Sequence, residues 1–158
     1  MKQINCIIIG GGASGLMLAA RSKNQDIAII EANDKIAKKI EISGGGKCNI
    51  TNKNLSHDNY IGDKEFIKEI LDNFSNSDLL EFLKQRGLDP IIKKNSQYFC
   101  KNSSHELIDL LKKEINCPIH LNQKVTEIEK VEDEFIIKTG RDRFVCKKLI
   151  IATGGLSY

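Results

Sequence analysis

The triplet Gly10-x-Gly12-x-x-Gly15 stands between two apolar runs, and its residue types suit the wrapping of backbone around a pyrophosphate. Gly10 permits a tight turn, Gly12 lets the main chain come close to phosphate oxygens, and Gly15 lets a following helix sit tightly on the preceding strand. The N-terminus of that helix presents unpaired N–H groups and partial positive charge. Glu31 lies 21 positions after Gly10, where a carboxylate accepts hydrogen bonds from a ribose and repels a 2′-phosphate. This favours FAD or NAD over NADP. The competing reading makes Glu31 a solvated residue at a strand end.

A second glycine cluster, Ser43-Gly44-Gly45-Gly46-Lys47-Cys48-Asn49, invites comparison with a phosphate loop. Glu41 stands where that loop needs its first glycine, and Cys48 where it needs Ser or Thr for magnesium, so the Walker pattern fails and an ATPase is not expected. Three successive glycines cost backbone entropy and pack nothing, which fits close approach of the chain to a flat or bulky group. A flexible surface turn would use the same residues. No histidine is placed to activate Cys48, so a passive thiol is expected there.

These residues need strands and helices to hold them. Residues 3–9 read as a buried strand, 13–22 as a helix and 27–31 as a second buried strand, a βαβ unit with parallel strands. Residues 32–54 read as mostly irregular, with a short helix at 35–40. Amphipathic helices are expected at 64–74 and at 78–86, the second stopped by Gly87, and both look like packing elements. Residues 90–100 suggest two short strands around Asn95-Ser96, and Ser103-x-x-Glu106 suggests a capping box for a helix over 104–115. Strands follow at 118–121, 125–131, 134–138, 143–146 and 148–153. The order predicts an α/β fold, a Rossmann-like FAD/NAD(P)-binding domain with a parallel sheet, a helical insertion and a β-meander.

The chain has 158 residues, 41% hydrophobic and 28% charged, enough for one globular core without disulfides. The net charge of +3 is too mild to argue for nucleic acid, and no apolar run reaches membrane-spanning length, so neither is expected as a partner. A signal peptide is a poor reading of the N-terminus, because four glycines interrupt the apolar stretch. Five cysteines without a C-x-x-C pair fit a reducing cytoplasm and no metal site, with Cys6 and Cys146 as small core residues. His57, His105 and His120 are scattered and read as surface or structural groups.

Gly10-Gly11-Gly12-Ala13-Ser14-Gly15, Glu31, the run from Lys38-Lys39 through Ser43-Gly44-Gly45-Gly46-Lys47-Cys48-Asn49-Ile50-Thr51-Asn52, and Ala152-Thr153-Gly154-Gly155-Leu156-Ser157-Tyr158 together form a recognisable pattern. It resembles that of the BaiN/YhiN-type flavoproteins, bacterial NAD(P)/FAD-dependent oxidoreductases also described as aminoacetone oxidase family FAD-binding enzymes. The resemblance spans the chain and is most specific at Ser-Gly-Gly-Gly-Lys-Cys-Asn. It implies that Gly10, Gly12, Ala13, Ser14 and Gly15 cradle the FAD pyrophosphate and that Glu31 holds the adenosine ribose. It also implies that Lys38, Lys39, Gly44 and Gly45 lie along the cofactor and that Val125 meets the adenine through its backbone. The family usually carries Gly-Arg-Lys where this chain has Ala37-Lys38-Lys39, and Arg in place of Lys47. Lysine keeps the charge but not the bidentate fork. Members continue into a substrate domain and return to complete the FAD site. The resemblance thus implies that residues 1–158 are the N-terminal FAD-binding portion of a longer flavoprotein, a portion expected to fold imperfectly or to hold FAD weakly by itself.

The expected function is an FAD-dependent oxidoreductase reduced by NAD(P)H and acting on a small-molecule substrate. Two alternatives share the Gly10-to-Glu31 spacing: an NAD-binding dehydrogenase domain, which would hold NADH without flavin, and a non-catalytic nucleotide-binding module without turnover. The residues assign neither a catalytic acid or base nor an oligomeric state.

Overall fold

The computed structural model describes residues 2–22 and 26–155. The last three residues of the Ala-Thr-Gly-Gly-Leu-Ser-Tyr ending lie outside the described residues. The chain divides into two compact units, residues 1–40 with 111–158, and residues 41–110.

The first unit is a six-stranded sheet. Its strands are β1 (Lys2–Ile9), β2 (Ile27–Ile30), β6 (Ile119–His120), β7 (Val125–Val131), β8 (Glu134–Thr139) and β9 (Arg143–Ile151), in the order β6-β2-β1-β9-β8-β7. The four strands from β6 to β9 run parallel, and β7, β8 and β9 form the antiparallel meander. Ile7, Ile8, Ala28, Ile29 and Ile30 are buried, as befits parallel strands covered on both faces. Ile7, Ile9, Ile30, Ile137, Phe144 and Cys146 form one core cluster. Helix α1 (Ala13–Arg21) buries Leu16, Ala19 and Ala20. The Rossmann-like α/β architecture with its meander is therefore as the sequence predicts. Cys6 and Cys146 are buried as expected, and burial pushes the Cys146 thiol up to about 11.

One boundary differs. Residues 143–146 and 148–153 form a single strand, β9, in unbroken parallel register with β1 from Lys2↔Phe144 to Ile9↔Ile151. The expected division at Lys147 does not occur, because strand continuity follows backbone pairing, which an exposed polar side chain does not interrupt.

The second unit holds a small antiparallel sheet in the order β3-β5-β4, made of β3 (Asn49–Asn52), β4 (Ile91–Ile92) and β5 (Gln97–Phe99). The β4-β5 turn runs through left-handed Asn95 and Ser96, φ +56° and +60°. Strand β3 lies in a stretch expected to be irregular. Its sequence, Asn-Ile-Thr-Asn, has no apolar alternation, and pairing to the distant β5 orders it. Helix α3 (Lys64–Asn73) is capped by Asp63, whose carboxylate accepts from the N–H groups of Glu65 and Phe66. Its expected packing face is not buried: Phe66 and Ile70 are 62% and 51% exposed. Helix α4 (Asn76–Lys84) starts two residues earlier than expected, because Ser75 and Asp78 cap it reciprocally, and Gly87 ends it with φ +80°. Phe82 and Leu83 of α4 are buried.

The chain passes between the units within α2 (Lys38–Gly46) and within α5 (His105–Glu114). Helix α2 replaces the expected helix at 35–40 and is regular only to Ile42, since Ser43, Gly44 and Gly45 leave helical geometry. Ahead of α5, Glu106 accepts from the N–H groups of Lys101 and Asn102 rather than from Ser103, so the expected capping box is displaced upstream.

Candidate cofactor-binding site

The carboxyl ends of β2, β1 and β9 stop side by side in the first unit. Gly10 N–H donates to Ile30 O at 2.8 Å, and Ala152 N–H donates to Ile9 O at 2.8 Å. The chain leaves β1 through α1 to β2 on one side, while β9 flanks the other. This is the switch point at which open α/β sheets bind ligands.

Each glycine of the loop meets a different constraint. Gly10 turns with φ +114°, and a Cβ there would lie 2.3 Å from Ala152 O. At Gly15 a Cβ would lie 2.0 Å from Gly10 O and 3.3 Å from Ile8 Cγ2, so α1 sits directly on the turn. Gly12 has extended backbone (φ −87°, ψ −169°) and nothing within 4 Å of a Cβ. It caps α1 without a side-chain hydrogen bond, and the first turn holds no acidic residue. The N–H groups of Ala13, Ser14 and Gly15 therefore begin the helix without intrahelical acceptors, beside open space. Such a cradle suits an anion, and the residues present fit a dinucleotide pyrophosphate.

Glu31 is 8% exposed and is not a solvated strand end. Its Oε2 accepts from Gly11 N–H at 2.7 Å, and its Oε1 accepts from Asn33 N–H at 2.8 Å and Asn33 Nδ2 at 2.6 Å. The carboxylate thereby ties the glycine loop to the turn after β2. A carboxylate offers about four lone-pair sites, so acceptor capacity is left for ribose hydroxyls. Glu31→Gln puts an amide NH2 against either Gly11 N–H or Asn33 N–H, and a loss of about 2 kcal/mol is expected. A urea midpoint lowered accordingly checks it, and an unchanged midpoint would show that the carboxylate does not hold the loop.

Residues around this centre escaped sequence reasoning. Ala37 N–H donates to Gly11 O at 2.8 Å, and Ala37 is left-handed (φ +64°) and buried. A Cβ at Gly11 would lie 2.7 Å from Ile36 Cγ2. Asn122 and Gln123 N–H groups donate to Asn33 O and Glu31 O, both at 2.9 Å, so the chain entering β7 runs beside the end of β2. Only Asn33 carries a readable signal, an Asx residue just past a strand carboxylate.

Val125 opens β7, and its half-buried side chain packs on the core cluster. Lys38 Nζ pairs with Asp34 at 2.7 Å, and its hydrogen bond and charge hold the exposed Asp34 carboxyl below its ordinary range. Lys39 Nζ turns the other way and donates to Gly155 O at 2.9 Å. Gly44 and Gly45 belong to the second unit. Both are left-handed. A Cβ on Gly44 would lie 2.7 Å from the Phe99 ring, whereas around Gly45 nothing lies within 4 Å. The flat group that Gly44 accommodates within its own unit is thus Phe99. His57 and His105 lie 3.6 Å and 3.9 Å from Asp58 and Glu41, and His120 packs on Phe144 at 5.1 Å.

Among the described residues no helix is long and apolar enough to cross a membrane, and no cluster of three or more metal-ligating side chains occurs. The chain is 32% identical over 96% of its length to the ribosomal RNA dihydrouridine synthase of Haemophilus influenzae, of which it covers 40%. It is 31% identical over 94% of its length to the 3-dehydro-bile acid delta(4,6)-reductase of Clostridium scindens, of which it covers 38%. The chain thus spans about two fifths of these curated relatives. Among solved structures, bacillithiol disulfide reductase from Staphylococcus aureus shares the fold, with a TM-score of 0.54 and 23% identity over 98% of this chain and 39% of that one. The model of the HI0933-like protein Rossmann domain matches residues 4–158, carrying both the Gly10–Gly15 loop and Glu31, and the chain belongs to that family.

Proposed function

We propose that this chain is the FAD-binding Rossmann portion of a flavin-dependent oxidoreductase. The observation that carries the reading is the open space at Gly12 beside the first turn of α1, with the Glu31 carboxylate fixed at the end of β2. In this reading Ala13, Ser14 and Gly15 donate N–H groups to pyrophosphate oxygens, and Gly10 and Gly12 keep the approach clear. Glu31 accepts from the ribose hydroxyls, Val125 offers backbone to the adenine, and Lys38 and Lys39 supply positive charge along the anionic cofactor. When bound, FAD supplies hydride transfer, with NAD(P)H proposed as the reductant. Five free cysteines support a reducing cytoplasm as the compartment.

The names of two relatives narrow the reaction. A dihydrouridine synthase and a delta(4,6)-reductase of a 3-dehydro-bile acid both saturate a C=C bond conjugated to a carbonyl. We therefore propose, for the family-length protein, reduction of an activated C=C bond, a hydride going to the β-carbon and a proton to the α-carbon. A small-molecule enone is the proposed substrate. A base in RNA is the second reading, favoured by the name of the Haemophilus influenzae relative.

The test is a visible spectrum of the chain after incubation with FAD and removal of free flavin. Flavin absorbance retained by the chain, or by the family-length protein alone, is the expected result. NADH binding without flavin in either would move the assignment to a dehydrogenase domain, and feeble binding of both by the family-length protein to a non-catalytic nucleotide-binding module. NAD(P)H consumption by the family-length protein, with a conjugated steroid enone or with ribosomal RNA, separates the two substrate readings.

A further inference from the structure

Two thiols meet inside the second unit. Cys48 follows the glycine turn and precedes β3, and Cys100 follows β5. Asn49 pairs with Phe99, and Cys100 N–H donates to Lys47 O at 3.0 Å, so the chain segments carrying the two thiols adjoin just beyond the paired ends of β3 and β5, with Cys48 in a left-handed turn (φ +48°). The two side chains are hydrogen-bonded to each other, and both residues are buried, 4% and 0% exposed. From this geometry we propose that Cys48 and Cys100 form a peroxide-oxidisable dithiol site, with Cys48 as the attacking sulfur and Cys100 as the resolving one.

The environment separates their roles. The hydrogen bond from Cys100 takes the Cys48 thiol down to about 6 against the opposing effect of burial, with help from the Ser43 hydroxyl. Cys100 is pushed up by the same hydrogen bond, by burial and by the neighbouring Cys48 charge. Burial raises Cys6, Cys117 and Cys146 above their ordinary range. Cys48 is thus the more acidic thiol with its less acidic partner in contact, the arrangement that favours oxidation and resolution. The turn before it carries no side chain at Gly45 or Gly46, and a Cβ at either would meet no atom within 4 Å.

The chemistry balances with hydrogen peroxide as the oxidant. The Cys48 thiolate attacks one peroxide oxygen, the O–O bond breaks, and the departing hydroxide takes a proton to become water, leaving a sulfenic acid. Cys100 sulfur then attacks the Cys48 sulfur, the S–O bond breaks, and the departing hydroxide leaves as water with the Cys100 proton. Overall two thiols and one peroxide give one disulfide and two waters. A small thiol reductant reverses the oxidation by exchange.

The test is peroxide treatment of the native chain, alkylation of the remaining thiols in denaturant, and peptide mapping. Free thiol is expected to be lost from Cys48 and Cys100 together, in one cross-linked peptide pair that reductant separates, while Cys6, Cys117 and Cys146 stay alkylated. In Cys100→Ser the cross-link is expected to vanish and Cys48 to be trapped by dimedone as a sulfenic acid. Cys48 and Cys100 remaining alkylated while other sites oxidise would overturn the proposal, as would Cys48 cross-linking to Cys117 as often as to Cys100. The wild-type map decides even if Cys100→Ser fails to fold, and neither readout depends on flavin.

Discussion

Gly15→Ala is expected to lower the stability of the chain by at least about 2 kcal/mol, although alanine is the better helix former by about 1 kcal/mol. The new methyl would stand 2.0 Å from Gly10 O, which is main chain and cannot swing aside. Gly10 itself is held by its hydrogen bond to Ile30 O and by Ala152 O, 2.3 Å from its own would-be Cβ. Relief therefore requires α1 to lift from β1, exposing Leu16, Ala19 and Ala20, which α1 buries. Gly140→Ala is the matched control, since nothing lies within 4 Å of a Cβ there. The expected reading is a clear fall in the urea midpoint for Gly15→Ala beside a near-native midpoint for Gly140→Ala. A Gly15→Ala midpoint equal to wild type would mean that α1 does not pack on the glycine turn.

What the sequence made legible was local and apolar. The apolar halves of β1 and of β2 are buried and read as continuous hydrophobic stretches, and Gly10, Gly12 and Gly15 mark the turn and helix start between them. The elements that escaped owe their order to partners far away in the chain. Strand β3 is a polar tetrapeptide ordered by β5, and β9 continues through Lys147 because its backbone pairs with β1. The same distance hid the Cys48–Cys100 contact, because it depends on the unforeseen β3-β5 register. Glu31 was found by spacing, but its anchoring to Gly11 N–H and Asn33 was not, since spacing cannot say which way a carboxylate turns. The glycine run shows the same limit: a Cβ on Gly44 would meet the Phe99 ring, a neighbour brought by the β3-β5 pairing, whereas one on Gly45 would meet nothing within 4 Å.

Gly12→Val is expected to separate folding from binding. Extended backbone at Gly12 accepts a β-branched residue, and its Cβ would meet no atom of the chain within 4 Å. The loss of a glycine N-cap costs less than about 1 kcal/mol, so the urea midpoint should stay close to wild type. The isopropyl group would instead fill the space in front of the first turn of α1, where phosphate oxygens must come within about 3 Å of backbone nitrogen to be hydrogen-bonded. Flavin retention should fall at least about 100-fold, or about 2.7 kcal/mol of binding free energy. The readout is flavin absorbance after desalting, with the urea midpoint measured on the same preparation. Wild-type retention in a folded Gly12→Val chain would remove the pyrophosphate from this loop and with it the flavin assignment. Because Gly15→Ala damages the fold and Gly12→Val only the opening, the pair distinguishes a glycine that packing demands from one kept clear for a ligand.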